Sequence, residues 1–90
     1  MESFPIIKDG QIALVRSEYN SGHILDESFD LAINEGQTIY TKFENLREAL
    51  SKTEQILLNT QGVECTLYDN EGSVLYFFRN IGDFQSQIKK

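Results

Sequence analysis

The stretch NLREALSKTEQILLN at residues 45–59, followed by VECTLY at 63–68 and SVLYFFR at 73–79, decides the fold. Leu46, Ala49, Leu50, Thr53, Ile56 and Leu57 recur at the three-and-four spacing of one helix face. Arg47, Glu48, Ser51, Lys52, Glu54 and Gln55 fill the opposite side. Asn45 can cap the first turn, and Glu48 stands three residues on, in a capping-box-like arrangement. The spacing predicts one amphipathic helix over Leu46–Asn59, buried along Leu46, Leu50, Thr53 and Leu57, with Gly62 near its exit. The two runs after it are β-rich and are joined by Asp69-Asn70-Glu71-Gly72, the polar, glycine-ended chemistry of a hairpin turn. Val63, Cys65 and Leu67 form the inward row of the first strand. The second carries Val74, Tyr76 and Phe78 on one face and Leu75 and Phe77 on the other, so both its faces are apolar.

Upstream of the helix, Asp9-Gly10 marks a turn and residues 11–19 read as a strand with apolar side chains on both faces. Phe29, Leu31 and Ile33 then alternate with polar or small neighbours, residues 34–36 supply turn chemistry, and Ile39, Thr41 and Phe43 alternate again. That pattern predicts a second hairpin. The summed order is β-β-β-α-β-β: an α+β, two-layer domain spanning residues 1–90, with an antiparallel four- to five-stranded sheet and one amphipathic helix on one face. Residues 1–8 are expected to be extended and frayed, and residues 81–90 to fray or to form no more than a helical turn.

The hydrophobic set is 40% of 90 residues, which suits a packed soluble domain and not a disordered chain. Fourteen acids against eight bases give a net charge of −6. Nucleic-acid backbones and anionic membrane surfaces are recognised by Lys and Arg, so neither is an expected partner. Residues 17–41 hold no Lys or Arg but contain Glu18, Asp26, Glu27, Asp30 and Glu35. Cys65 is the single cysteine, so no intramolecular disulfide can form, and its apolar strand neighbours predict an inert buried thiol. No basic-then-apolar leader opens the chain, and the longest apolar run, at residues 74–78, is far too short to span a membrane. A cytoplasmic setting is expected.

Chemistry has few footholds. His23 is the only histidine, and no serine, threonine or cysteine stands near it in a nucleophile–base pattern. His23, Asp26, Glu27 and Asp30 form the one grouping with metal-ligand types, and His23 with Asp26 and Asp30 underlies an alternative reading as a small metal-dependent enzyme. No phosphate-cradling glycine loop occurs, and no cofactor is expected. The aromatic strand around Tyr76 and Phe77 lacks the basic surroundings of a base-stacking platform.

The expected function is a non-catalytic acidic protein-binding module of inhibitor, immunity- or antitoxin-like, or adaptor type. Asp26, Glu27, Asp30 and Glu35 would face a basic surface on another protein, with Tyr76 or Phe77 on an apolar contact. A purely structural self-assembling subunit is a further alternative. One helix covers one face of a sheet, so the other apolar face predicts a homodimer or a cover formed by the segment around Phe84 and Ile88.

Overall fold

A computed structural model describes residues 3–89. It contains β1 (Ile12–Glu18), β2 (Ile24–Leu25), β3 (Thr41–Phe43), α1 (Leu46–Asn59), β4 (Val63–Tyr68), β5 (Val74–Phe78) and α2 (Ile81–Ile88). All strands pair antiparallel in one open sheet, in the order β2-β1-β4-β5, with β3 also on β1. The α+β class is therefore as the sequence implies, with a second helix added. The smallest principal extent is 18 Å.

β1 occupies the centre because its apolar run can be covered from both sides. Ile12 and Leu14 enter the main core with Leu25, Ala49, Ile56, Leu57, Val63, Cys65, Leu67, Phe78 and Phe84. Val15, on the opposite face, packs with Ala32 and Ile39. β2 and β3 lie end to end along the same side of β1: Ser17 and Arg16 face Ile24 and Leu25, and Leu14, Ala13 and Ile12 face Thr41, Lys42 and Phe43. The chain leaves the sheet between them for residues 26–40.

α1 keeps the expected bounds, and Asn45 Oδ1 accepts the Glu48 N–H at 2.9 Å. Its burial is shifted along the stripe to Ala49, Thr53, Ile56 and Leu57, while Leu46 and Leu50 are half-buried. Thr53 is accommodated because its hydroxyl donates to the Ala49 carbonyl at 2.7 Å. The tail is not frayed over most of its length. Asn80 caps α2 by accepting the Asp83 N–H, and Phe84 is buried against Phe78. Of the ends expected to fray, residues 1, 2 and 90 lie outside the described residues.

Three sequence expectations are corrected. The hairpin expected from a strand at residues 29–33, a turn at 34–36 and a strand at 39–43 does not form: its second half survives as β3 on β1, but in the first only Leu31 makes a bridge, to Leu25, and Phe29 sits at φ 66, outside strand geometry. The cause is local, since side chains take the N–H groups a strand would pair, as described below. The apolar alternation there is inverted, with Ala32 buried and Phe29, Leu31 and Ile33 exposed. The C-terminal segment covers the same sheet face as α1, so it is not the cover of the other face. A bulge at Leu67/Tyr68 pairs Val74 with Tyr68, removing Val74 from the Tyr76–Phe78 row.

Candidate interaction site

Residues 26–40 form a closed excursion that packs Ala32 and Ile39 on the second face of the sheet and brings Phe29 beside α1, and polar side chains give it shape. The Asp26 carboxylate accepts the N–H groups of Ser28 at 2.8 Å and Asp30 at 3.0 Å, and the Gln37 amide at 2.7 Å. Gln37 Oε1 accepts the N–H groups of Ile33 at 2.8 Å and Asn34 at 2.7 Å, and its Nε2 also donates to the Leu31 carbonyl. These contacts replace a sheet ladder. The hydrogen bonds from Gln37, Asp30 and Ser28 hold the Asp26 carboxyl below the usual aspartate range.

Where the chain leaves and rejoins the sheet, Arg16 closes the gap. Its Nε donates to the Asp26 carbonyl at 3.1 Å, Nη2 to the Ile39 carbonyl at 2.6 Å and Nη1 to Thr41 Oγ1 at 2.8 Å. Thr41 in turn donates to Glu27 Oε2 at 2.6 Å. The side chain is buried, and burial lowers the guanidinium pKa, opposed chiefly by the nearby Glu27 charge. A planar fork of donors reaches three acceptors that a lysine point charge could not.

The excursion does not cover the whole second face. It packs Ala32 and Ile39 on Val15, and Phe4 lies edge-on against Tyr40 and Tyr68 with ring centroids 5.4 and 5.8 Å away. Beyond them, Val74, Leu75 and Phe77 on β5 keep 58%, 41% and 43% of their surface exposed. Gln87 Nε2 donates to the Phe77 carbonyl at 3.2 Å, a contact from α2 to β5.

The residues singled out from sequence divide accordingly. Glu27, Asp30 and Glu35 are exposed on the excursion, and Asp26 is half-buried and engaged in holding it. Tyr76 stacks on Phe78 with centroids 5.5 Å apart on the helix face, whereas Phe77 points to the other face. The two aromatics therefore share no platform. Cys65 is buried in the main core, where desolvation pushes its thiol up to about 12, while His23 is exposed. Among the described residues, no group of three or more His, Cys, Asp or Glu side chains is placed to hold a metal ion.

Sequence reasoning passed over Arg16 and Gln37. An arginine directly after the apolar run of residues 12–15 is a visible signal, because a charge there needs buried partners. A second missed feature is a cleft of about 310 Å³ lined by Gly22, His23, Ile24, Leu31, Ala32 and Ile33. Among the described residues no helix is long and apolar enough to cross a membrane. The chain matches no family model, no curated protein and no solved structure, so its function is argued from its own residues.

Proposed function

We propose that the chain is a non-catalytic acidic protein-binding module, of inhibitor, immunity- or antitoxin-like, or adaptor type, whose excursion meets a basic surface on another protein. One observation carries this reading: residues 26–40 present Glu27, Asp30 and Glu35 from a backbone already held by Asp26, Gln37 and Arg16. An ordered segment loses less conformational freedom on binding. No lysine or arginine lies within residues 17–41, and Arg16 is occupied in the interior. A reducing compartment such as the cytoplasm suits the buried lone thiol.

The test is a pull-down identified by mass spectrometry, followed by association kinetics at varied ionic strength. Asp30→Asn with Glu35→Gln should slow association and flatten its salt dependence, since such charges act mainly on the encounter rate. Asp26 and Glu27 are left intact, because Asp26 shapes the segment and Glu27 accepts the Thr41 hydroxyl beside buried Arg16. Unchanged kinetics would reduce the acidic surface to a solubility feature. The metal-dependent alternative has less support, because the Asp26 carboxylate oxygens already accept three N–H donors.

A weak homodimer through β5 is a second reading, supported by the exposed Val74, Leu75 and Phe77. Across residues 72–88 the only charged side chains are Arg79 and Asp83, which pair at 3.5 Å. Two copies of a −6 chain could approach there without like charges meeting. Light scattering at high micromolar concentration should give about twice the monomer mass, and Phe77→Lys should return it to monomer. A monomer in the unmodified chain would remove this reading, and with it the self-assembling-subunit alternative.

A further inference from the structure

We propose that the cleft between the β1–β2 turn and residues 31–33 is an anchor pocket, and that its occupant is a basic segment of another protein carrying one apolar side chain. This assignment rests on the acidic-module reading and adds to it where the contact is centred. At about 310 Å³ the cleft is at the small end of ligand pockets, large enough for one sizeable side chain and the backbone bearing it. Ile24, Leu31, Ala32 and Ile33 make its walls apolar, and Ile33 keeps 78% of its surface exposed.

Both walls are fixed before anything binds. On one side the Glu18 N–H donates to the His23 carbonyl at 2.8 Å and the Gly22 N–H to the Glu18 carbonyl at 2.7 Å. On the other the Ala32 N–H donates to the Ile24 carbonyl at 2.9 Å, Leu31 bridges Leu25, and Gln37 holds the Ile33 N–H. A pocket that needs no reorganisation loses little of its contact energy on filling.

Charge selects the occupant. The cleft is built from residues 22–33, inside the one window of the chain with five carboxylates and no cation. Glu18 is tied into the turn that forms one wall, and Asp30 and Glu35 flank the segment that forms the other. A second copy would bring two such windows together, and a phosphate-bearing surface would meet the same repulsion. A segment with Lys or Arg on either side of an apolar residue satisfies both the cleft and its surroundings. Anchors that fill a central pocket from which the surrounding contacts exclude water carry most of the energy of such interfaces.

The experiment titrates three synthetic peptides, acetyl-KKLKK-amide, acetyl-KKSKK-amide and acetyl-EELEE-amide, into isotopically labelled full-length protein at low ionic strength. The leucine-centred basic peptide should shift the methyl signals of Ile24, Leu31 and Ile33 and bind about tenfold or more tightly than its serine counterpart. The acidic peptide should not bind. Leu31→Ser with Ile33→Ser, both exposed positions, should bring the leucine peptide down to the serine peptide's affinity while the amide spectrum stays folded. Equal affinity of both basic peptides, lost with Asp30→Asn and Glu35→Gln, would overturn the pocket and leave the acidic reading standing. Shifts centred on Val74, Leu75 and Phe77 would also overturn it. No binding by any peptide at millimolar concentration would overturn both.

Discussion

The two layers on either side of β1 are held by different forces. On the helix side, Leu14, Cys65, Leu67, Phe78 and Phe84 are almost wholly removed from water beneath α1 and α2. On the other side only Val15, Ala32 and Ile39 form a buried apolar group, and Asp26 and Gln37 supply most of the organisation, while Arg16, on the β1 row of Leu14 and opposite Cys65, ties down both ends of the segment. Burial of apolar area is shared among many residues and is non-directional. Hydrogen bonding through three side chains is directional and concentrated. One layer should therefore fail globally and the other locally.

The largest effect should come from the helix side. Phe78→Ala removes a fully buried ring packed on Tyr76 and Phe84 and should cost about 3–5 kcal/mol, read as a lowered melting temperature. Leu57→Ala should cost more than Leu50→Ala, because Leu57 is buried and Leu50 only half-buried. Equal costs would mean that the core is not centred where the burial puts it. Arg16→Met comes next, at about 1–3 kcal/mol for carbonyls left without donors, and Arg16→Lys should recover only part of it. Full recovery by lysine would show that charge, not the three-way fork, closes the gap.

Gln37→Ala should cost about 1 kcal/mol and act on one layer only. Hydrogen exchange at Ile33 and Asn34 should accelerate, while thiol labelling of Cys65, which is buried with its thiol pushed up to about 12, should stay slow until global unfolding. Faster Cys65 labelling would erase the distinction between the layers. The smallest effect is acidic. Because the folded Asp26 carboxyl titrates below its unfolded value of about 3.9, its contribution is complete above that pH and is lost as pH falls through the folded value. The Ser28 and Asp30 amide signals, followed from about pH 5 down to about pH 2, should report that loss, and Asp26→Asn should abolish it.

The same contrast explains what could be read in advance. α1, β4 and β5 follow the 3.6- and 2-residue periods that burial imposes on a chain, so their bounds were legible. The second helix was signalled less plainly, though Asn80 and Asp83 repeat the cap spacing of Asn45 and Glu48. Residues 29–34 carry a period-2 pattern that misleads, because Asp26 and Gln37 capture the N–H groups that pairing needs. Sequence shows that such side chains can bond the backbone, but not which backbone they will meet. The acidic residues were visible by composition, whereas the cleft beside them depends on Ala32 turning inward where Leu31 and Ile33 were expected to.

The end-to-end placement of β2 and β3 has a consequence for how freely this surface can be exchanged. Ser17 and Arg16 face Ile24 and Leu25, and Leu14 faces Thr41, so excising residues 27–40 would bring Asp26 opposite Val15 and join both strands in unbroken register. The excised length is fourteen residues, an even number, so every side chain on the joined strand would keep its face. The whole presented segment is thus an in-phase insert with its two ends already adjacent. Segments of other lengths could be grafted between Asp26 and Thr41, because β1 fixes the register of each flanking strand by itself.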